Sequence, residues 1–253
     1  MTIRAFAVGL PARDEEGHIA AAIQAVDDAA RRTPVRVSLA VVADRCRDST
    51  AHLARAAIER SSGIVTGVVV ESDCGSAGAA RDLACRTALA RAATMEDPSH
   101  IWIATTDADS VVPLRWFELQ ALWSSRGADG CAGLVELDPA SPVPAVVRTR
   151  WKAHVERLGS GFGHPHVHGA NLSLRADLWV TAGGFSDLVA GEDHELWRRA
   201  RALGGWLVGT DEIVVRTSAP RRPYPWGFSE FLAGLLPDGE EPIGATVDST
   251  YSP

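Results

Sequence analysis

The segment Ile101-Trp-Ile-Ala-Thr-Thr-Asp-Ala-Asp-Ser110 decides the fold of this protein, because it joins an apolar run to two alternate carboxylates. Apolar runs rich in valine and isoleucine also occur at residues 5–10, 37–43 and 64–70, and a helical pattern follows each of them. Strands that alternate with helices are typical of a parallel sheet covered on both faces. The sequence therefore predicts an α/β fold with a mostly parallel central sheet.

Helix-start signals follow three of the predicted strands. Asp14 is a candidate N-cap with two acidic residues in the first turn, Asp48-Ser49 can open the second helix, and Ser76 can open the third. Ligands of such sheets bind beyond the carboxyl ends of the strands. Ligand-binding residues are therefore expected in segments 11–16, 44–48, 72–76 and 106–110, which follow the predicted strands.

The chain after Asp109 is predicted to form a second, less regular half. Its expected elements are a helix near 113–125, a strand near 130–137, an Arg-rich helix near 143–158, a His- and Gly-rich loop at 159–169, a strand at 170–174, a helix at 192–203, and strands near 206–208 and 213–216. Residues 237–253 carry four acidic and no basic side chains, which is typical of a flexible acidic tail.

Composition and charge exclude several classes of protein. With 25 basic and 32 acidic residues, the 253-residue chain has a formal charge of −7 and no dense basic run, so no nucleic-acid partner is expected. No apolar run approaches the roughly 20 residues of a membrane-spanning helix. The N-terminal residues lack the features of a secretory signal, so a cytoplasmic location is expected. Four cysteines without C-x-x-C spacing favour reduced thiols.

Asp107 and Asp109 are candidate metal ligands. Two alternate carboxylates after a strand can be aimed at one cation and its phosphate ligands, and oxygen donors favour Mg²⁺ or Mn²⁺. Acidic residues at such a position also form turns and cap helices. This spacing by itself leaves both interpretations open.

Five motifs in one order give the sequence a family resemblance. They are Leu10-Pro-Ala-Arg-Asp-Glu-Glu-Gly-His-Ile19, Val41-Val-Ala-Asp-Arg-Cys-Arg-Asp-Ser-Thr50, Gly78-Ala-Ala-Arg81, Thr106-Asp-Ala-Asp-Ser110, and His168-Gly-Ala-Asn-Leu-Ser-Leu-Arg175 with Gly183-Gly-Phe185 and Gly191-Glu-Asp-His-Glu-Leu196. Together they resemble family 2 glycosyltransferases of the GT-A fold over about residues 3–220. The resemblance implies one domain over residues 1–236, with a Rossmann-like nucleotide-sugar-binding half at 1–110 and an acceptor-binding half at 111–236.

The resemblance also implies roles for individual residues. Asp107 and Asp109 would hold the ribose and a Mn²⁺ or Mg²⁺ ion that bridges two phosphates, with Asp109 as the more direct metal ligand. Asp193 would be the catalytic base that takes the proton of the acceptor hydroxyl. The remaining residues implied to contact ligands are Pro11, Arg13, Glu15, Asp44 and Arg81 for the nucleotide sugar, and Gly169, Asn171 and Glu192 for the sugar and acceptor.

The implied reaction is a metal-dependent, inverting and non-processive transfer of one sugar from a nucleotide sugar to a hydroxyl. UDP is the favoured carrier, because a carboxylate such as Asp44 can accept the imide N–H of uracil. The acceptor, which can be a small molecule, a lipid or a glycan, is not indicated by the sequence. Processive synthases of this family usually carry a Gln-x-x-Arg-Trp motif, which this sequence lacks.

Other functions compete with this interpretation. Asp107-Ala-Asp-Ser-Val111 also matches the nucleophile loop of a haloacid-dehalogenase-type phosphatase, although three strand-helix units precede it here. A nicotinamide-dependent Rossmann enzyme is disfavoured because no G-x-G-x-x-G follows the first strand. A non-catalytic module that binds sugar nucleotides remains the non-enzymatic alternative.

Structural roles compete for the same side chains. Glu15 can favour a helix start, Asp44 can cap a turn, and Arg81 can form a surface ion pair. Glu192 and Asp193 can cap the helix that they open.

Several histidines and arginines have more than one possible role. His164, His166 and His168 are spaced for a metal site, but a contact of His168 or His194 with phosphate or acceptor is the better hypothesis. Arg221 and Arg222 can clamp a diphosphate. The Arg-rich helix can contact an anionic acceptor or the surface of a membrane, or can present a solvated basic face.

Overall fold

The computed structural model describes residues 2–141, 143–158 and 163–219. The strands are β1 (Ala5–Ala12), β2 (Arg36–Asp44), β3 (Val65–Ser72), β4 (Ile101–Thr105), β5 (Ser110–Val111), β6 (Gly130–Leu137), β7 (Leu172–Arg175) and β8 (Leu207–Thr217). The helices are α1 (Ile19–Ala30), α2 (Thr50–Glu59), α3 (Ala77–Ala92), α4 (Trp116–Ser125), α5 (Ala145–Leu158), α6 (Ala176–Thr181) and α7 (Glu192–Ala202). Short 3₁₀ turns lie at Pro98–His100 and Gly169–Asn171.

Within the described residues, the strands form one mixed sheet in the order β3-β2-β1-β4-β7-β6-β8-β5. Strand β1 lies between β2 and β4 and is parallel to both, and β2 is parallel to β3. Strand β7 runs antiparallel to β4 and β6 and so connects the two halves of the sheet. The predicted α/β fold with a mostly parallel first half is confirmed.

Strand β4 is buried on both faces of the sheet. Its side chains alternate, so that Trp102 joins the apolar cluster that contains Trp116, whereas Ile101 and Ile103 join the cluster that contains Trp179. No residue of β4 is more than 1% exposed. The loop that carries the Asp107-Ala-Asp109 sequence therefore starts from the rigid centre of the domain.

Helix α3 lies close against β1 because Gly9 has no side chain. A Cβ atom at Gly9 would lie 2.8 Å from the backbone nitrogen of Cys85, and that backbone cannot move away cheaply. Ser76 is confirmed as the N-cap of α3, since its hydroxyl accepts a hydrogen bond from the amide of Ala79 at 3.0 Å. This close packing fixes α3, and with it Arg81, against the central strands.

The prediction that Asp14 caps the first helix is wrong. Helix α1 begins at Ile19, and no acidic residue lies in its first turn. Asp14 instead has a positive φ of 53°, and its carboxylate accepts from the amide of Arg47 at 2.7 Å. Glu16 likewise accepts from the amide of Ser49. These acidic residues therefore join the loop after β1 to the loop after β2.

The second half differs from the sequence prediction in its details. The two strands expected near 206–208 and 213–216 are one strand, β8, whose register with β6 shifts between Gly133 and Leu134. Helix α6 and the short strand β5 were not predicted. None of the helices in the described ranges combines the length and apolarity needed to cross a membrane.

All four cysteines are free thiols; Cys85 and Cys131 are buried, and the other two are partly exposed. The acidic tail and the end of the 1–236 domain lie outside the described residues, and so do Arg221 and Arg222.

Candidate active site

A cavity of about 860 Å³ opens at the carboxyl ends of the central strands. The loops after β1, β2 and β4 form one side, and the other side comes from α5, residues 165–170 and the start of α7. Almost all of the residues selected from the sequence line this cavity, namely Pro11, Arg13, Glu15, Asp44, Arg81, Asp107, Asp109, Gly169, Glu192 and Asp193. The fold thus brings residues from both halves of the chain to one site.

Arg81 connects the two sides of the cavity through two ion pairs. Its guanidinium donates from Nη1 to Asp107 Oδ1 at 2.7 Å and from Nε to Glu192 Oε1 at 3.0 Å. The Arg81 side chain is only 7% exposed, so the expectation of an ordinary surface ion pair is wrong. Burial opposes the charge, but Asp107 and Glu192 outweigh it and raise the pKa of Arg81. Arg81 is therefore held as a cation between two carboxylates.

The backbone also shapes the surroundings of Arg81. Its Nη1 donates to the carbonyl of Gly169 at 3.1 Å. A Cβ atom at Gly169 would lie 2.6 Å from Arg81 Cζ, so a side chain there would displace the guanidinium. Gly169 thus contributes space and a carbonyl acceptor rather than a side chain.

Asp109 is a partly buried carboxyl in an acidic environment. Its Oδ1 accepts hydrogen bonds from the hydroxyls of Ser110 and Thr217, both at 3.1 Å. Burial, followed by the charges of Asp107 and Glu15, raises the pKa of Asp109 to about 7. A divalent cation would relieve this repulsion. A pair of carboxylates suits Mg²⁺ or Mn²⁺, since such ions are held by one or two protein carboxylates together with substrate phosphates.

Asp44 lies at the end of β2 and is 3% exposed. Its Oδ1 accepts from the Ser72 hydroxyl at 3.0 Å and from the amide of Cys74 at 2.7 Å, while Oδ2 accepts from the amide of Gly75 at 3.1 Å. Asp44 therefore holds the loop after β3, as its turn-forming alternative predicted. Oδ2 keeps further acceptor capacity in the cavity, because a carboxylate can accept about four hydrogen bonds.

Glu15 reaches the cavity from the loop after β1. Its amide donates to the hydroxyl of Thr50 at 2.7 Å, and its carboxylate contacts His18 Nδ1 at 2.8 Å. Glu15 lies outside α1 and so does not start that helix. His18 also contacts the Ser218 hydroxyl through Nε2 at 3.3 Å, which connects this loop to the end of β8.

Asp193 stands in the first turn of α7 and faces the cavity. Its Oδ2 accepts from the amide of Gly169 at 2.8 Å, and its Oδ1 accepts from the amide of His194 at 2.7 Å. A carboxylate in this first turn complements the helix dipole, but the N-cap is Gly191 and no side chain caps α7, so the expectation that Glu192 or Asp193 caps the helix is wrong. The same two contacts fix its orientation beside the Gly169 backbone, across Arg81 from Asp107.

Glu192 precedes Asp193 and is 5% exposed. Burial raises the pKa of its carboxyl, whereas Arg81 acts in the opposite direction. Its Oε1 receives the Arg81 hydrogen bond. Glu192 therefore contacts Arg81, and through it the Asp107 loop, at the boundary between the two halves.

Asn171 does not line the cavity, contrary to its expected place beside the sugar and acceptor. Its Nδ2 donates to the carbonyls of Leu134 and Ile213 at 2.8 and 3.0 Å, and its Oδ1 accepts from Trp116 Nε1 at 3.1 Å. These contacts use the polar groups of a side chain that is 3% exposed. The Asn171 side chain therefore connects β6, β8 and α4 through hydrogen bonds.

We expect Asn171→Ala to lower the free energy of unfolding by about 2–3 kcal/mol, because Trp116 Nε1 and two carbonyls would lose buried partners. The affinity for nucleotide should change by less than about twofold at temperatures where the variant is folded. Chemical denaturation and calorimetric titration with nucleotide measure the two effects. A large loss of nucleotide affinity in a folded variant would contradict this structural role.

The histidines of the second half do not form a compact metal site. Among the described residues, the single group of three ligand atoms within 4.8 Å of one another is Asp14, Cys46 and Asp48, on the loops after β1 and β2. His164 is buried outside the cavity lining, whereas His166, His168 and His194 line it. The cavity thus contains histidines without a histidine metal cluster in the described part of the chain.

Comparison with protein families identifies the domain. The model of glycosyltransferase-like family 2 matches residues 4–229, which is most of the chain. The chain belongs to this family. It is a glycosyltransferase domain, and this result replaces the phosphatase and nicotinamide-enzyme alternatives. No curated protein sequence matches the chain.

Solved structures of similar fold agree with this identification. A mannosyltransferase from Pyrobaculum calidifontis, in complex with GDP-Man and Mn²⁺, has a TM-score of 0.63 and 18% identity over 88% of this chain and 59% of its own. TarS 1–349 from S. aureus has a TM-score of 0.58 and 15% identity over 87% of this chain and 61% of its own. At such identities the likeness shows the GT-A fold. The chain spans about three fifths of each of these two structures.

Sequence reasoning missed several residues that the cavity uses. Thr217 and Ser218 hold the Asp109 loop through side-chain and backbone hydrogen bonds. The Arg-rich helix was expected to be able to contact the acceptor, and its Trp151 and His154 line the cavity. From this part of the chain the sequence analysis selected only Arg221 and Arg222. Thr217 ends strand β8 and Ser218 follows it, and the ends of strands, where ligands bind in α/β sheets, were the available signal.

Proposed function

We propose that this domain transfers one sugar from a nucleotide-diphosphate sugar to an acceptor hydroxyl with inversion, that it requires Mn²⁺ or Mg²⁺, and that it is non-processive. The observation that carries the proposal is the arrangement around Arg81. One cavity holds the Asp107 and Asp109 carboxylates at the end of β4 and the Asp193 carboxylate at the start of α7. A single-displacement transfer needs these two features, an anionic cation site and a separate base.

The residues present fit a divalent cation. Asp109 carries a raised pKa of about 7, caused by burial and by the neighbouring Asp107 and Glu15, and a cation would stabilise its ionised form. When bound, the ion would act as a Lewis acid on the departing diphosphate. The mannosyltransferase of similar fold was solved with GDP-Man and Mn²⁺, which supports the same ligand classes here.

The donor proposed is a UDP-sugar. Asp44 has an Oδ2 atom with one hydrogen bond, from Gly75, and can accept the imide N–H of uracil with its remaining capacity. Pro11, Arg13 and Glu15 complete this end of the cavity. Guanine also presents an N–H donor of this kind, so GDP is the necessary comparison in any binding experiment.

Asp193 is proposed as the general base. Its two oxygens each accept one backbone hydrogen bond, which keeps the carboxylate oriented while lone pairs remain for the acceptor hydroxyl. The hydroxyl oxygen attacks the anomeric carbon as its proton passes to Asp193, and the nucleoside diphosphate departs with the bonding electrons. Arg81 and Glu192 position Asp107 and the start of α7 for this reaction.

We expect Asp109→Asn to weaken the Mn²⁺-dependent binding of UDP by about 100-fold, or about 2.7 kcal/mol, because a neutral amide replaces a metal-binding carboxylate. Calorimetric titration of UDP and of GDP in the presence of Mn²⁺ or of a chelator measures this effect. Asp211→Asn, on an exposed part of β8, is the matched control and should bind as the unmodified protein does.

A panel of nucleotide sugars then tests turnover, and proton NMR of the product identifies the anomeric configuration. Equal UDP affinity in the unmodified protein and Asp109→Asn, with and without chelator, would contradict the metal role. A retained anomeric configuration would contradict the inverting mechanism. Binding of the donor without transfer to any acceptor or to water would favour the non-catalytic module.

A further inference from the structure

Thr217 lies directly opposite Ser110 where β5 pairs with β8. Residues directly opposite one another in an antiparallel pair have side chains on the same face, where threonine and serine hydroxyls can hydrogen-bond. The Ser110 and Thr217 hydroxyl oxygens are 2.9 Å apart, and each lies 3.1 Å from Asp109 Oδ1. Both residues are buried. The two hydroxyls and the carboxylate oxygen therefore form a closed triangle at the end of β8.

The two hydroxyl protons are sufficient to hold Asp109 Oδ1. Each hydroxyl carries one proton, and an ionised carboxylate can only accept. Thr217 can donate to Asp109 directly, and Ser110 can donate either to Asp109 or to the Thr217 oxygen. At least one hydroxyl proton is therefore directed to Oδ1 while Thr217 keeps its hydroxyl in this orientation.

The backbone of Asp109 is held by the same pair of strands. The amide of Ser218 donates to the Asp109 carbonyl at 3.0 Å, and the amide of Ser110 donates to the Asp107 carbonyl at 3.1 Å. With the backbone fixed in this way, rotation of the side chain is the freedom that remains to the Asp109 carboxylate. The Ser110 and Thr217 hydroxyls restrict that rotation.

Each carboxylate of the Asp107-Ala-Asp109 sequence keeps one oxygen that accepts no hydrogen bond from the described residues. Asp107 uses Oδ1 for its 2.7 Å contact with Arg81, and Asp109 uses Oδ1 for the two hydroxyls. Both residues line the cavity, so their Oδ2 atoms remain for a ligand there. Carboxylate oxygens of this kind bind Mg²⁺ and Mn²⁺ together with substrate phosphates.

The two carboxylates differ in the charge of the groups that hold them. Arg81 is a cation, and it offsets part of the negative charge of Asp107 and of Glu192. Serine and threonine hydroxyls are neutral, so they orient Asp109 without offsetting its charge. The strongest charge effects on Asp109 come from Asp107 and Glu15, both negative. Of the two Oδ2 atoms, that of Asp109 is therefore better suited to a cation.

We propose that Thr217, together with Ser110, is a positioning residue of the metal site: the two hydroxyls hold Asp109 Oδ1 and so keep Oδ2 presented to the cavity for the divalent cation. The inference rests on the proposed function, in which Asp109 binds the cation. It adds that the end of β8, 108 residues along the chain from Asp109, sets the metal affinity. Loss of groups that orient metal-binding side chains typically lowers metal affinity by about 10–100-fold.

Electron paramagnetic resonance of Mn²⁺ tests the proposal without turnover, because the sharp signal of free aqueous Mn²⁺ is lost when the ion binds a protein. Thr217→Val removes the hydroxyl and keeps the β-branched shape that suits a strand. With saturating UDP, the dissociation constant for Mn²⁺ should rise at least about threefold in Thr217→Val, and about tenfold when Ser110→Ala is added. Thr217→Ser keeps a hydroxyl and should retain the affinity of the unmodified protein.

Thr210→Val is the matched control, because Thr210 is a buried threonine of the same strand that does not line the cavity. Its hydroxyl accepts from the amide of Glu212 at 3.2 Å, so this variant loses a hydrogen bond without affecting Asp109. The Mn²⁺ affinity of Thr210→Val should be unchanged. Thermal melting in the presence of a chelator checks that each variant is folded. If the double variant does not fold, Thr217→Val and Ser110→Ala are compared as single variants.

The outcomes separate this inference from the proposed function. A change of less than about threefold in the Mn²⁺ affinity of Thr217→Val or of the double variant would overturn the positioning role. An equal loss in Thr217→Ser or in Thr210→Val would also overturn it, because the loss would then not depend on the hydroxyl beside Asp109. If the unmodified protein with UDP bound no Mn²⁺, the proposed metal dependence itself would fail.

Discussion

Asp193→Asn is expected to lower kcat by about 10²–10⁴-fold, the range typical of a lost general base, with little change in the affinity for the donor. Asparagine has the shape of aspartate, and its carbonyl oxygen can still accept from the amide of Gly169 or of His194. It cannot take a proton from an acceptor hydroxyl at neutral pH. Because Asp193 contacts no part of the Asp107 loop directly in the described hydrogen bonds, metal and nucleotide binding should persist.

Initial rates at saturating donor and acceptor, together with calorimetric titration of the nucleotide, separate the two effects. The substitution also removes a negative charge from the first turn of α7, which should cost less than about 1 kcal/mol of stability. Thermal melting checks that this cost stays small. Asp211→Asn is the matched control, since Asp211 is exposed on β8 and does not line the cavity. A kcat within threefold of the unmodified enzyme would rule out Asp193 as the base.

The second large effect is expected for Arg81→Met, which should lower the free energy of unfolding by about 3–5 kcal/mol. Methionine fills much of the same space but leaves Asp107 and Glu192 without their shared cation. Glu192 is buried at one end of this arrangement and Asp107 is one-third exposed at the other, so without the guanidinium the two carboxylates lose their shared compensating charge. The fraction of the variant that folds should also bind UDP with Mn²⁺ more weakly, because Asp107 loses its 2.7 Å contact.

Arg91→Met provides the control, because Arg91 is an exposed arginine in the last turn of the same helix. Chemical denaturation of both variants should show a large loss for Arg81 and a change within about 0.5 kcal/mol for Arg91. If Arg81→Met does not fold, the coupling can be measured from the other side with Glu192→Gln. Glu192→Gln should destabilise the Arg81→Lys variant less than it destabilises the unmodified protein. The reason is that a lysine side chain cannot contact both carboxylates as the guanidinium fork does. If the two substitutions instead lower the free energy of unfolding additively, the Arg81–Glu192 pair does not contribute to stability.

The sequence predicted the nucleotide half better than the acceptor half. Strands β1 to β4 could be recognised because each is a short apolar run that differs clearly from the surrounding polar segments; β1, β2 and β4 are buried, and β3 is partly buried. The residues that follow β1, β2 and β4 could be selected because parallel strands present their carboxyl ends at one edge. Asp14 was misassigned because a helix cap and a loop that accepts backbone amides use the same side chain.

In the acceptor half, the same reasoning identified elements but not the directions of their side chains. Asn171 occurs within a recognisable motif, yet its amide points away from the cavity to Trp116 and to two carbonyls. The ring contacts of Trp151 with His168 and of His154 with His166 require α5 and the segment before Gly169 to meet, and neither segment carries a pattern that predicts the other.

What the sequence determined by itself is therefore local: the order of strands and helices, the pair of carboxylates after β4, and the acidic start of α7. These features depend on the periodicity of apolar residues and on side chains close to one another along the chain. Only the tertiary structure decided that Arg81 is buried against Glu192, which lies 111 residues away, and that the Trp151 and His154 rings of α5 contact those of His168 and His166. Contacts at such separations depend on how close packing positions whole elements, and burial then sets the charge of each group.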